Sequence, residues 1–202
     1  MVENLSRIPY EVPYRRIDLG KRNLHKDSLQ GEIMIQLESI PESPPSPLHE
    51  QARALFGLYY QFLQETKSCG THLPKLDAET AALPTPYTSQ KGELLLALVD
   101  GEPAACIAYR TAAEDPSGSS CEIKRLFVLP EFRGHGLARR LVAEALARAA
   151  SRGFTRAILD TDAATMPAAL ALYLSMGFRH YTQDQGNLSF LEFPLNPTVL
   201  SS

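Results

Sequence analysis

The stretch Leu126–Leu141, LFVLPEFRGHGLARRL, contains three successive kinds of local sequence. The apolar run LFVL predicts the end of a buried strand, because Pro130 cannot continue a central strand. Gly134 and Gly136 then predict a turn whose backbone takes conformations that a β-carbon disfavours. From residue 137 onward, apolar side chains recur at helical spacing, so the stretch predicts a strand, a glycine turn and a helix.

A turn of this kind presents backbone N–H groups that have no partner inside the helix, at the end where the helix dipole is positive. It therefore favours a phosphate or pyrophosphate, to which Arg133, His135 or Arg139 could add charge. A dinucleotide fingerprint would need glycine or alanine where Arg139 stands, and the Lys-Ser/Thr pair of a Walker loop is missing. The turn thus predicts a phosphate ligand outside those two classes.

The rest of the chain predicts an α+β fold that includes one βαβ unit. Asp100-Gly101 separates two apolar runs and is a strong hairpin signal, so the three central runs predict an antiparallel meander. Predicted strands cover residues 32–38, 93–99, 104–110, 121–128 and 156–161, with a last pair in FRHYTQ and NLSFLEFPL. Predicted helices cover residues 49–65, about 137–152, and a segment capped by Thr165 that ends at Gly177.

Composition limits the classes of function. The chain has 202 residues, of which 44% are hydrophobic, and a formal net charge of −3. This charge does not favour nucleic acid as a partner, and no run approaches the ~18 apolar residues of a membrane span. The N-terminus has no apolar core of the signal-peptide type, so we expect a cytoplasmic protein. The three cysteines and five histidines show no metal-ligand spacing, and no metal is expected.

The chain divides into an N-terminal extension or arm over residues 1–30 and a folded domain over residues 31–197. The extension is polar, contains Pro9 and Pro13, and is basic near Arg15. Weakly structured termini commonly have this composition. We therefore expect one folded domain and no second one.

Arg133–Ala138, RGHGLA, resembles the R/Q-x-x-G-x-G/A signature of the GNAT N-acetyltransferase superfamily. An E-I-x-R-L-x-V-x-P strand precedes it, and L-Y-x-x-x-G-F follows at residues 172–178. The resemblance covers about residues 32–194. It implies a GNAT fold, in which helices flank a mixed, twisted central sheet and the fourth and fifth strands splay apart around the pantetheine arm of acetyl-CoA.

The resemblance also implies how acetyl-CoA, the cosubstrate, is held. Backbone groups of the splayed strand contact the pantetheine and acyl groups, and one main-chain N–H polarises the thioester carbonyl. Main-chain N–H groups of the turn bind the pyrophosphate. The implied residues are Leu126, Phe127 and Val128 on the strand, and Arg133, Gly134, His135, Gly136, Leu137 and Ala138 at the turn.

Two catalytic residues follow from the resemblance, which implies direct attack of the amine in a ternary complex. Tyr173 matches the tyrosine that protonates the leaving thiolate in many members; the alternative is a core tyrosine. Glu122 matches a glutamate that removes a proton from the amine; the alternative is a structural glutamate paired with Lys124 or Arg110. Met166 stands where many members have an asparagine that contacts CoA, so that contact is not expected here.

The acceptor is less constrained by the sequence. Specificity in the superfamily comes from segments that correspond to about residues 60–90 and 181–187. Their mixed side chains favour a primary amine of a small molecule first, and a peptide or protein amine second. A non-catalytic CoA-binding sensor or interaction module is an alternative from a different class. The resemblance also allows a homodimer, by analogy.

Overall fold

A computed structural model describes residues 34–42, 46–66, 78–89 and 91–195 of the chain. The predicted extension at residues 1–30 lies outside the described residues. The predicted limits of the folded domain, residues 31–197, stay predictions.

In the part of the chain that the structure describes, seven strands form one sheet, in the order β1-β2-β3-β4-β5-β7-β6. All neighbouring strands are antiparallel except β4 and β5, which are parallel. The mixed sheet and its flanking helices confirm the α+β prediction. The strands are β1 Ile35–Ser39, β2 Glu93–Val99, β3 Glu102–Thr111, β4 Ser120–Val128, β5 Arg156–Asp162, β6 Arg179–His180 and β7 Leu188–Pro194.

The hairpin between β2 and β3 forms where the sequence predicts it. Asp100 and Gly101 have φ angles of 51° and 85°, the left-handed pair that a two-residue hairpin requires. Both flanking strands are almost entirely buried, because helices cover both faces of this part of the sheet. The predicted antiparallel meander of β2, β3 and β4 is confirmed.

The helices are α1 Pro47–Glu65, the short α2 Thr85–Thr88, α3 Leu137–Ser151 and α4 Pro167–Ser175. Helix α3 buries Leu141, Val142 and Ala145 against the sheet, as its helical spacing predicts. Helix α4 begins differently from the prediction. Its N-cap residue is Met166 and not Thr165, and the Asp162 carboxylate accepts the backbone N–H of Thr165 in the preceding turn.

Helices α1 and α3 lie on opposite faces of the sheet. On one face, Phe127 of β4 packs against Tyr59 and Phe62 of α1, with ring centroids 5.5 and 6.0 Å apart. On the other face, Glu93 of β2 pairs with Arg148 of α3. Strand β4 therefore runs between the two helical layers.

Strands β4 and β5 pair over only three positions, from Ser120↔Arg156 to Glu122↔Ile158. Beyond Glu122 they separate, which confirms the predicted splay. The register between β3 and β4 shifts between Cys106 and Ala108, and Arg125 has a φ of 60°. This bulge interrupts strict alternation along β4, so side chains after Lys124 do not follow the simple two-face pattern.

Candidate active site

The glycine turn leaves open space at the start of α3. Gly134 and Gly136 have φ angles of 84° and 76°, and Gly136 is the N-cap residue of the helix. A β-carbon built on either glycine meets no other atom within 4 Å. Glycine is therefore required by the backbone conformation and not by crowding within the protein, and a ligand can approach the bare backbone.

Backbone donors gather at this turn. The Arg140 N–H bonds to the Gly136 carbonyl at 3.1 Å, which is the first complete helical turn. The N–H groups of Leu137, Ala138 and Arg139 precede that bond in the chain, so they have no carbonyl partner inside the helix. Together with the exposed Arg133 and His135, they form a positive, solvent-facing surface suited to an anion.

Arg133 connects the turn to two other elements. Its Nε donates to the Val128 carbonyl of β4 at 3.0 Å, and its guanidinium lies 5.5 Å from the centroid of the Phe62 ring of α1. The side chain therefore lies where β4 ends and the turn begins.

Leu126, Phe127 and Val128 lie on the part of β4 that has left β5. On one edge, Phe127 and Val128 pair with Cys106 and Ala105 of β3. On the other edge, within the described residues, the ladder with β5 ends at Glu122. An unpaired edge of this kind can bind an extended chain through its backbone groups.

Tyr173 is buried, with 6% of its surface exposed, and its ring lies 5.4 Å from that of Phe178. Burial, the nearby Tyr59 and the Asp160 carboxylate together raise the pKa of Tyr173 above its ordinary value. Tyr59 belongs to α1 and Asp160 to β5, so elements on two sides of Tyr173 contribute to this shift. The phenol therefore stays protonated at neutral pH.

Glu122 lies on β4 where the splay begins, and 8% of its surface is exposed. Arg110 lies opposite it on β3, with Nε 3.4 Å from the carboxylate, and Lys124 forms a second ion pair. The sequence predicts one of these cations as a structural partner of Glu122, and the structure contains both ion pairs. The role of Glu122 as a base stays a prediction.

The structure also contains a charged group that sequence reasoning missed. Glu79 lies in the helical residues 78–81. Its carboxylate accepts hydrogen bonds from Nε and Nη2 of Arg125 and from the hydroxyl of Tyr87. Glu79 and Arg125 are 46 positions apart. No local pattern joins them, so no motif could have predicted the pair.

Cys106 and Cys121 are free and fully buried. Burial raises the pKa of each thiol to about 12. Both are therefore protonated at neutral pH, as expected for small buried hydrophobic residues and not for nucleophiles.

Among the described residues, no helix is long and apolar enough to cross a membrane. Among the same residues, no three His, Cys, Asp or Glu side chains are arranged to hold a metal ion.

The profile of the Acetyltransferase (GNAT) family matches residues 56–178, more than half of the chain. An uncharacterized N-acetyltransferase of Escherichia coli K12, YjgM, is 42% identical over 60 residues, 30% of this chain and 35% of that one. Human N-acetylaspartate synthetase is 30% identical over 131 residues, 63% of this chain and 41% of that protein. The chain thus spans between a third and a half of the length of these two relatives.

Solved structures show the same fold. An N-acetyltransferase from Staphylococcus aureus Mu50 has a TM-score of 0.65 at 17% identity and covers 81% of this chain and 99% of its own. The structure of yncA from Salmonella typhimurium with its cofactor acetyl-CoA has a TM-score of 0.65 at 15% identity, covering 82% and 96%.

Proposed function

The chain belongs to the GNAT acetyltransferase family, and on that premise we propose that it acetylates a primary amine of a small molecule by direct attack in a ternary complex. Family membership confirms the resemblance, the fold, the N-acetyltransferase class and acetyl-CoA as cosubstrate. The finer proposal is carried by one observation: β4 and β5 separate beyond Glu122, on the strand that leads to the glycine turn at the start of α3.

The residues at the opening suit acetyl-CoA. The unpaired edge of Leu126, Phe127 and Val128 would hold the pantetheine arm, and one of its N–H groups would face the thioester carbonyl. Arg133, Gly134, His135, Gly136, Leu137 and Ala138 would hold the pyrophosphate. Acetyl-CoA, when bound, supplies an activated acyl group and a thiolate leaving group.

Tyr173 is proposed as the proton donor to that thiolate. Its raised pKa supports this role, because the phenol keeps its proton at neutral and mildly alkaline pH. The hydroxyl proton moves to the sulfur as the carbon–sulfur bond breaks, and solvent later returns a proton to the phenolate.

Glu122 is proposed as the base that takes a proton from the acceptor ammonium, directly or through water. Its position beside the apex of the splay supports the role. Arg110 and Lys124 hold the carboxylate in place through two ion pairs. The protonated thiols of Cys106 and Cys121 support attack without an acyl-enzyme.

A small-molecule acceptor is supported by the mixed, exposed side chains of residues 181–187. Tyr181 is more than one-third exposed, and the guanidinium of Arg156 lies 5.5 Å from the centroid of its ring. Such a mixture suits a compact polar amine. The human relative is named for a small acetylated amino acid, which supports the same class here, with peptide amines as the second choice.

Residence in the cytoplasm is proposed on the free thiols. Buried, unpaired cysteines such as Cys106 and Cys121 are common where the environment is reducing. A homodimer stays a prediction from the family.

The acceptor proposal is tested by measuring release of free thiol from acetyl-CoA over a panel of amines. The panel contains amino acids, their decarboxylated amines, polyamines, and peptides with free N-termini or lysines. We expect turnover with one class of small amine and little with peptides. Turnover confined to peptides would replace the small-molecule proposal.

Tyr173 is tested in the same assay with the best acceptor. Tyr173→Phe removes only the hydroxyl, so we expect kcat to fall about a hundredfold or more, since a general acid typically contributes ~10²–10⁴-fold. Affinity for acetyl-CoA, measured by calorimetry, should stay within about twofold as an internal control. Unchanged turnover across the pH range would remove Tyr173 from this role.

A further inference from the structure

The bulge in β4 places a bulky side chain on an unfavourable backbone conformation. Across the register shift, Arg125 and Leu126 of β4 together face Ile107 of β3, because the flanking pairs are Ala108↔Lys124 and Cys106↔Phe127. Arg125 takes the left-handed φ of 60° that favours glycine. Such a conformation persists in a non-glycine residue only when surrounding contacts hold it.

The side chain of Arg125 is held by a two-point ion pair. Its Nε lies 2.8 Å from Oε1 of Glu79, and its Nη2 lies 2.6 Å from Oε2. The side chains of Arg125 and Glu79 are only 19% and 15% exposed. A forked pair fixes orientation as well as distance, which a single contact does not.

Glu79 is itself held in place. It accepts the hydroxyl of Tyr87, which is fully buried at α2. Burial alone would raise the pKa of Glu79, but the bonds from Arg125 and Tyr87 outweigh burial and hold the pKa below its ordinary value. Glu79 therefore stays ionised and keeps both partners at neutral pH.

The backbone of the bulge has an anchor of its own. The Cys106 thiol lies 3.4 Å from the Arg125 carbonyl and donates to it. Arg125 is therefore fixed from β3 through its carbonyl, and from the segment at residues 78–89 through its guanidinium. The next residues along β4 are Leu126, Phe127 and Val128.

We propose that Glu79 is a positioning residue for acetyl transfer: by holding Arg125 in the left-handed conformation, it sets the bulge that aims the N–H groups of the following edge at the thioester carbonyl. The proposal rests on the proposed function, since it takes that edge as the acyl-binding one. It also links the segment at residues 78–89, where the Tyr87 ring packs against Phe56 of α1, to the strand that is proposed to bind the donor.

The experiment uses acetyl-CoA labelled with ¹³C at the thioester carbonyl, bound to the full chain. Isotope-edited infrared spectroscopy reports how far binding lowers the carbonyl stretch, and calorimetry reports affinity. In Glu79→Gln and Arg125→Ala we expect at least half of the wild-type shift to be lost, while affinity stays within about threefold, because the pyrophosphate turn is intact.

Arg152→Gln is the matched control. It breaks another arginine–glutamate pair, with Glu93, on the opposite face of the sheet. We expect it to lower the melting temperature and to leave the carbonyl shift at its wild-type value. A purely structural role for Glu79 would make the Glu79→Gln variant behave like this control.

A second substitution covers the case in which Glu79→Gln does not fold. Arg125→Lys keeps the charge but replaces the fork with a single ammonium, so the carbonyl shift must still decrease. A wild-type shift in either folded variant overturns the proposal. If the wild-type protein binds acetyl-CoA without a shift of the carbonyl stretch, the edge of β4 does not contact the thioester carbonyl, and this proposal is wrong. Acetyl transfer itself is tested separately, by release of free thiol in the presence of an amine.

Discussion

The two ends of helix α3 share one backbone conformation and differ in what surrounds it. Gly136 before the helix and Gly153 after it have φ angles of 76° and 87°, and a β-carbon on either would meet nothing within 4 Å. At the C-terminal end, the N–H groups of Gly153 and Phe154 bond back to the last turn and close the helix. At the N-terminal end, the donors face solvent.

The C-terminal end is also clamped to the sheet. Glu93 is 5% exposed. Its carboxylate oxygens lie 2.6 Å from Nη1 of Arg148 and 2.9 Å from Nη2 of Arg152. It also accepts the Ser39 hydroxyl at 2.6 Å and the Tyr109 hydroxyl at 3.0 Å. One end of α3 is therefore fixed by the protein's own groups, whereas the turn at the other end is exposed. On the proposed function, the same conformation serves stability at one end and binding of acetyl-CoA at the other.

The largest effect is expected at the clamped end. Glu93→Gln leaves two guanidinium groups without their carboxylate, and breaking a buried pair typically costs 3–5 kcal/mol. Because water reaches both arginines in part, we expect a loss of about 2–3 kcal/mol in the free energy of unfolding, measured with urea. Affinity for acetyl-CoA should stay unchanged, and a parallel loss of affinity would show that the two ends are not independent.

The glycines give the sharpest contrast between the ends. Gly136→Ala and Gly153→Ala both place alanine at a positive φ, so each should lose about 1 kcal/mol of stability. Only Gly136→Ala adds a β-carbon where the pyrophosphate is proposed to approach. We expect calorimetry to show a loss of affinity for acetyl-CoA of about tenfold or more, or ~1.4 kcal/mol, in that variant alone. Equal affinities in the two variants would contradict the assignment of the turn.

The smallest expected effect is a change in the free energy of unfolding at acidic pH. Burial alone would raise the pKa of Glu93, but donors from Ser39, Arg148 and Tyr109 hold it below its ordinary value. The pKa of Glu93 is lower in the folded state than in the unfolded state, where it is about 4.3. The ionised carboxylate therefore stabilises the protein at pH values above the unfolded-state pKa, and this contribution is lost as the pH falls through the folded-state pKa. The stability difference between wild type and Glu93→Gln should therefore shrink as the pH falls from 5 to 3. A constant difference would mean that charge is not what Glu93 contributes.

Features that depend on neighbouring residues could be predicted from the sequence. The Asp100-Gly101 hairpin, the glycine turn and helix α3 each follow from a few adjacent side chains, and the structure contains all three. The sequence also predicts that Glu122 pairs with Arg110 or Lys124. Arg110 is its cross-strand neighbour and Lys124 its i, i+2 neighbour, and both kinds of neighbour lie close together on one face of a sheet.

Long-range side-chain contacts could not be predicted in this way. Arg148 and Glu93 are 55 positions apart, and Arg125 and Glu79 are 46 apart. The bulge at Arg125 could not be predicted from neighbouring residues either, because the contacts that Arg125 makes there come from Glu79 and Cys106. The catalytic roles of Tyr173 and Glu122 stay predictions, since they rest on the family and on geometry.

The short contact between β4 and β5 has a consequence for heat resistance. Only three residue pairs join the two halves of the sheet through backbone ladders. Acetyl-CoA bound along β4 and against the start of α3 would add contacts next to this short β4–β5 ladder and stabilise it. By mass action, a ligand at 100 times its Kd adds about 2.7 kcal/mol to the stability of the form that binds it. The supply of acetyl-CoA in the cell would then govern how long the enzyme survives as well as how fast it works.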